Sequence, residues 1–302
     1  MQRKLIIGTR GSPLALYQAN LVQSLLGCEA EIKILKTSGD TIKGDLKEFG
    51  GKGLFTKELE DALMEGRIDL AVHSMKDVPT IGQDGLMVGA ILERADPRDA
   101  FMSYKAAKLT DLPEGAVVGS ASIRRRAQLS AMRPDIKFKL LRGNVGTRLE
   151  KLKNEDCDAT FLACAGLKRL GLEALITEAI DTHIMLPAPA QGAIGIEIRK
   201  DDKQAAKAIA PLDHSETHIA ITAERAFLRA LDGSCRTPIA ALAETMNDGL
   251  NFRGEVIAKD GSICFARSER LEAPSKEKAF AMGYRLGEDI RKEAGNRIKW
   301  DE

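Results

Sequence analysis

Aromatic side chains are scarce in this 302-residue sequence: one Trp, three Tyr and nine Phe make up 4% of it. Base-stacking platforms for single-stranded nucleic acid are therefore in short supply. The net charge is only +1 at pH 7, far from the basic composition typical of nucleic-acid-binding domains. Long apolar runs are also missing. No stretch approaches the roughly 18 consecutive apolar residues of a membrane span. The opening MQRKLIIGTRGS has only a short apolar run before Gly8 and Arg10, too little for a signal-peptide core. The five cysteines (28, 157, 164, 235 and 264) include no CxxC pair, which argues against zinc and a disulfide framework. Reduced thiols and a cytoplasmic location are the expectation. His214 and His218 stand four residues apart, but no third ligand accompanies them, so no metal is expected. Gly50-Gly51-Lys52-Gly53 is glycine-rich yet lacks the spacing of a Walker phosphate loop.

What is present is unevenly distributed. Hydrophobic residues make up 44% and charged residues 29%, ordinary for a soluble globular protein, and the length suits two or three domains. Between Ser120 and Arg148, however, six arginines (124, 125, 126, 133, 142 and 148) and two lysines face a single acid, a net +7. Arginine is the side chain suited to planar, bidentate capture of carboxylate or phosphate. Such a cluster on a near-neutral chain suggests a compact polyanionic ligand.

Strand and helix signals alternate. The patterns predict strands over 4–8, 30–36, 68–73, 116–119, 136–141, 159–163 and 193–199, with helices over 13–25, 56–65, 122–132 and 144–154 between them. Ser12-Pro13 provides an N-cap followed by proline at the first helical position. The stretch 37–53 reads as a loop. A helix over 216–231, a strand-rich middle (250–257, 262–267) and a closing helix over 276–292 form a different last segment. Alternation of this kind predicts parallel sheets covered by helices: two α/β domains and a smaller α+β C-terminal domain.

In such sheets, ligands bind beyond the carboxyl ends of the strands, where helix N-termini point. Four polar clusters fall there: Thr9-Arg10-Gly11-Ser12, His73-Ser74-Met75-Lys76-Asp77, Gly119 to Arg125, and Leu141 to Arg148. Each combines backbone N–H groups, a positive dipole end and a cation. For several of these residues two readings stand at this level. Arg124-Arg125-Arg126 is either a solvated helix face or, for the first two, a ligand clamp, with Arg126 and Arg133 toward solvent. Asp77 is either one half of a structural ion pair or an ionised group that steadies a cation or moves a proton. Cys235, in Gly233-Ser234-Cys235-Arg236-Thr237-Pro238, is either an ordinary loop thiol or one activated by the adjacent arginine. His73 is expected to be hydrogen-bonded and structural.

Together these segments resemble the porphobilinogen deaminases, also called hydroxymethylbilane synthases. The likeness runs along nearly the whole chain: GTRGSPLA from Gly8, GGKGLF from Gly50, AVHSMKDVP from Ala71, LRGNVGTR from Leu141, AGLKRLG from Ala165, PAPAQG from Pro187 and the Cys235 loop. The resemblance implies a transferase of haem biosynthesis. It would condense four porphobilinogen units head to tail, with loss of ammonia, and release hydroxymethylbilane by hydrolysis. It implies a dipyrromethane cofactor, made from two substrate units and bound through a thioether to Cys235, with Asp77 as the catalytic residue. Carboxylate-binding cations fall on Arg10, Lys76, Arg124, Arg125, Arg142, Arg148 and Arg169, and hydroxyl donors on Ser12 and Ser122. The same motifs add Lys52, Phe55, Ser74, Gly143, Asn144 and Gln191 to the cofactor- and substrate-binding set. The implied fold has two α/β domains like type-II periplasmic binding proteins, 1–94 with 194–214 and 95–193, then an α+β domain over 215–302. A monomer acting on a small molecule is expected, without nucleic acid or membrane. The chain departs from the family pattern in a shorter segment over 40–50, in Ala121 where a hydroxyl is often found, and in Ser234 where glycine is expected.

Overall fold

A computed structural model of the chain describes residues 3–37, 56–231, 237–247 and 249–300. It divides into two compact units, one formed by 1–95 with 193–219 and the other by 96–192 with 220–302.

The first unit begins with β1 (Leu5–Arg10), α1 (Pro13–Leu25), β2 (Ala30–Leu35), α2 (Lys57–Met64), β3 (Leu70–Ser74) and β4 (Leu86–Ile91). Ser12 caps α1 as its motif requires: its Oγ accepts the Ala15 N–H at 3.3 Å, with Pro13 in the first turn. The second unit takes up β5 (Asp99–Ser103), β6 (Val117–Gly119), α3 (Ile123–Met132), β7 (Lys137–Lys139), α4 (Val145–Lys153), β8 (Ala159–Ala163), α5 (Cys164–Arg169) and β9 (Glu178–Ala179). The chain then returns to the first unit for β10 (Ile194–Arg199) and α6 (Lys203–Ile209). It closes with α7 (Ser215–Ala230), β11 (Ile239–Met246), β12 (Gly249–Ile257), β13 (Cys264–Glu272) and α8 (Lys276–Ala294).

The two five-stranded sheets share one plan. In the first the order is β2-β1-β3-β10-β4, and in the second β7-β6-β8-β5-β9. Both are mixed, a correction to the parallel sheets expected from the alternation: β10 runs antiparallel to β3 and β4, and β5 runs antiparallel to β8 and β9. Apolar patterning marks a buried strand but carries no sign for its direction, which depends on the side from which the chain re-enters. The strands 86–91, 99–103 and 239–246 escaped the sequence reading because short apolar runs lack a distinctive period.

Each sheet is covered on both faces. In the first unit Leu5, Ile7, Val72, Ile194 and Ile196 pack with Ala19 and Val22 of α1, while Leu59, Ala62 and Leu63 of α2 pack with Ile68 and Ala71 on the other side. In the second, Phe101, Val118, Leu129 and Phe161 form one layer and Ala100, Leu141, Leu152, Leu162 and Leu167 the other. The third sheet is an antiparallel meander, β11-β12-β13. Phe252 meets Phe227 of α7 edge-on, with ring centroids 5.3 Å apart. The face of α8 toward α7 is made of small residues: a Cβ on Gly283 would come 2.1 Å from the Ala223 carbonyl oxygen. Gly283→Ala should therefore cost about 1–3 kcal/mol by forcing two helix backbones apart. Urea unfolding tests this, and a midpoint equal to that of the unsubstituted chain would contradict such close packing.

Candidate active site

At the carboxyl ends of β1 and β3 a small pocket of about 70 Å³ opens, lined by Arg10, Ser12, Gln18, Thr56, His73, Ser74 and Asp77 among others. The elements explain the gathering. β1 and β3 are parallel neighbours, so residues just past their ends lie side by side. Ser12, as α1 cap, uses its oxygen as acceptor and keeps its hydroxyl proton for a ligand. Ser74 Oγ accepts a bond from the buried Gln18 Nε2 at 2.8 Å, which orients it. Met75 to Asp77 form one 3-10 turn that leaves Lys76 and Asp77 exposed. His73 is buried, with Nε2 3.2 Å from Glu197 Oε2.

In the second unit the sequence expectation is revised. Arg124 and Arg125, at the first turn of α3, are only 5% and 7% exposed. Both are engaged inward. Arg124 Nη2 lies 2.8 Å from Asp99 Oδ2 and its Nη1 donates to the Leu186 carbonyl at 2.8 Å. Arg125 Nη2 donates to Asp99 Oδ1 at 2.7 Å and its Nη1 to the Phe161 carbonyl at 2.7 Å. Gln191 joins them, its Nε2 2.9 Å from Asp99 Oδ1 and 2.7 Å from the Pro97 carbonyl. Adjacent side chains diverge by about 100° on a helix, and a buried anion, not solvent, draws these two together. The Nε atoms of both arginines stay buried with no acceptor among the described residues. Burial alone would push the Asp99 carboxyl up, but the two guanidinium groups and the Gln191 amide outweigh it and hold it well below the usual range.

The remaining members of the arginine window divide. Arg126 lies over the ring of Phe138, 5.1 Å from its centroid, a cation–π contact with the one aromatic residue of that window. Arg133 pairs with Asp135 at 2.7 Å. Neither is simply solvent-facing. Around α4, Asn144 Oδ1 caps the helix by accepting the Thr147 N–H at 2.8 Å. Gly143 takes φ 120°, and a Cβ there would strike Thr147 at 2.8 Å, so glycine is required. Arg148 Nε donates to the Gly143 carbonyl at 2.8 Å, and the Arg142 carbonyl accepts from Lys151. Ser122 caps α3 through the Arg125 N–H, and Arg169 donates to the Gly192 carbonyl at 2.7 Å. Cys235, Lys52 and Phe55 lie outside the described residues, as does most of the predicted 37–53 loop.

Sequence reasoning missed Asp99 and Glu197. Each is a carboxylate within a strand of otherwise buried residues, and that placement is the signal that would have found them. Among the other cysteines, Cys157 and Cys164 are buried, and burial together with Glu255 pushes the Cys264 thiol up to about 11. His214 and His218 are engaged by Thr217 and Asp213. Among the described residues no group of His, Cys, Asp and Glu is arranged for a metal, and no helix is long and apolar enough to cross a membrane.

Two family models match the chain: "Porphobilinogen deaminase, dipyromethane cofactor binding domain" over residues 5–207, and "Porphobilinogen deaminase, C-terminal domain" over 218–292. Among curated proteins, a porphobilinogen deaminase of Paracoccus denitrificans is 51% identical over 298 residues, covering 96% of this chain and 94% of that protein. One of Syntrophomonas wolfei is 45% identical over 302 residues, covering 98% of each. Among solved structures, a periplasmic substrate-binding protein of an ABC transporter from Coxiella burnetii shows 14% identity over 69% of this chain and 91% of its own, with a TM-score of 0.43.

A dipyrromethane built from two porphobilinogen units brings carboxylates and pyrrole N–H groups. The donor set of the first-unit pocket suits it: Arg10 and Ser12 offer a cation and a hydroxyl, and Asp77 in the same pocket offers an acceptor for N–H. Asp99→Asn should cost about 3–5 kcal/mol at pH 7, because it leaves two buried guanidinium groups against a neutral amide. The folded carboxyl titrates below its unfolded value of about 4, so its contribution is present above that value and is lost as pH falls. Urea unfolding should therefore show the gap between the two proteins narrowing below pH 4. A gap that stays constant would contradict the assigned charge.

Proposed function

The chain belongs to the porphobilinogen deaminase family, and on that premise we propose that it is a transferase that condenses porphobilinogen head to tail. Four units join with loss of ammonia, and water releases the linear tetrapyrrole hydroxymethylbilane. The observation that carries this reading is the pocket in which Arg10, Ser12 and Asp77 meet. It pairs binding groups for a carboxylate with an exposed carboxylate for a cation, the two demands of this substrate.

Asp77 has no hydrogen-bond partner among the described residues and ends a short turn held at its base by the Met75 N–H on the Ala193 carbonyl. We assign it the electrostatic part of the reaction. Loss of ammonia leaves a methylene-pyrrole cation on the substrate. The Asp77 carboxylate stabilises that charge and accepts the pyrrole N–H, an arrangement worth on the order of 10²–10³ in rate. Arg10, Lys76, Arg142, Arg148 and Arg169 are assigned to the acetate and propionate arms, with Ser12 and Ser122 as neutral donors. Lys52, Phe55, Ser74, Gly143 and Asn144 complete the set. Arg124, Arg125 and Gln191 are assigned a shared task, presenting the positive first turn of α3, because Asp99 already engages their polar ends. The dipyrromethane, bound through the Cys235 sulfur, supplies a tethered primer that makes each addition intramolecular for the chain.

The division into domains 1–94 with 194–214, 95–193 and 215–302 is part of the proposal, as are the monomeric state and the cytoplasmic location. The intact mass of the purified protein should exceed the sequence mass by two deaminated porphobilinogen units, and Cys235→Ser should abolish the adduct. An unmodified, active protein would overturn the cofactor assignment. Asp77→Ala should fold and retain its adduct while turnover falls at least ~100-fold. Turnover near normal would reject the role given to this carboxylate.

A further inference from the structure

Behind the Asp77 pocket stands a buried carboxylate–imidazole pair. His73 is in β3, and its neighbour in register on β10 is Gly195. No side chain intervenes there, so Glu197, opposite Ala71, reaches diagonally to the ring. The contact is His73 Nε2 to Glu197 Oε2 at 3.2 Å, with the two residues 6% and 3% exposed. A carboxylate this deeply buried needs a donor, and among the described residues no other side chain pairs with Glu197. The bond therefore places the Nε2 proton toward Glu197 and leaves Nδ1 as the basic atom. Nδ1 has no partner among the described residues, and His73 lines the same pocket as Asp77.

The other charged groups near the ring are Glu60 of α2 and, on the pocket side, Arg10 and Asp77. Burial raises the Glu60 carboxyl. Among the described residues Glu197 is the carboxylate within hydrogen-bond distance of the ring.

We propose that His73, oriented by Glu197, is the base that removes the ring proton in each condensation. This rests on the functional reading above. As ammonia leaves the substrate its C–N bond breaks, and the free α-carbon of the preceding ring forms the new C–C bond. That α-carbon then carries both the new bond and its hydrogen. The C–H bond breaks, its electron pair restores the aromatic ring, and the proton passes to Nδ1. It leaves as the fourth proton of the departing ammonium, so charge and atoms balance. Asp77, stabilising a cation at that moment, is a poor acceptor for the same proton. An imidazole held by a carboxylate through Nε2 presents its other nitrogen as an acceptor.

The test compares the wild-type holoenzyme with His73→Gln and Glu197→Gln. In the purified wild type, ¹⁵N NMR should show the His73 ring protonated at Nε2 and bare at Nδ1, and Glu197→Gln should loosen that preference for one tautomer. This readout does not depend on turnover. With holoenzyme whose primer was assembled from porphobilinogen deuterated at the free α-carbon, so that the terminal ring carries the label, single-turnover condensation by His73→Gln should slow at least ~100-fold and acquire a primary isotope effect absent from the wild type. Glu197→Gln should lie between, with KM little changed. An Nδ1-protonated ring in the wild type would overturn the assignment. So would a His73→Gln enzyme that is slow without an isotope effect, or one within threefold of normal. If His73→Gln fails to fold, the NMR result and Glu197→Gln decide. A wild type that forms no tetrapyrrole would sink the functional reading itself; a wild type that does so, with the isotope effect unchanged in His73→Gln, sinks this assignment alone.

Discussion

One fully enclosed carboxylate, Asp99, organises the second unit. Its two oxygens are divided between Arg124 and Arg125, and Gln191 adds a third donor. Through those groups it joins the start of β5, the first turn of α3, the carbonyls of Phe161 and Leu186, and the turn at 191. A single anion between two guanidinium groups is costly to bury and more costly to break. The network therefore defines how the helix N-terminus sits on the sheet, and a net positive charge stays at that end of α3.

The first unit uses the same device in a different place. Asp69, almost wholly buried, accepts the Ile6 N–H and pairs with Arg3 and Arg199, while Arg199 also donates to the Leu63 and Ile68 carbonyls. In the C-terminal part Glu224 accepts the backbone N–H groups of Ala190 and Ala243 at 2.6 and 2.8 Å. Each buried acid stitches a segment distant in sequence onto an element whose own hydrogen bonds are local. Asp77, by contrast, ends a short turn after a strand and is exposed.

Much of this could be read from the chain. The Ser12-Pro13 start of α1, the helix that follows Asn144 and the alternation of strands and helices all follow from local propensities, and local forces decide them. The clusters at Arg10 to Ser12 and His73 to Asp77 were legible as strand-end motifs, and they do meet in one pocket. The roles of Arg124 and Arg125 were not legible. A guanidinium can face a ligand or an internal anion, and Asp99 is 25 residues earlier, on a strand that local pattern did not reveal. Strand direction in both sheets was hidden for the same reason, since hydrophobic patterning has no polarity along the chain.

The amino-acid sequence by itself determined the family, the element order and the inventory of charged and nucleophilic side chains, because motifs and caps act over a few residues. Only the tertiary structure decided which cations are committed to internal partners, that the β10 return brings Glu197 to His73, and that Asp77 remains exposed without a partner among the described residues. These depend on contacts between residues distant in sequence, 136 positions apart for Arg199 and the Leu63 carbonyl. Only the folded chain brings such groups within hydrogen-bond distance and removes the water that would otherwise satisfy them.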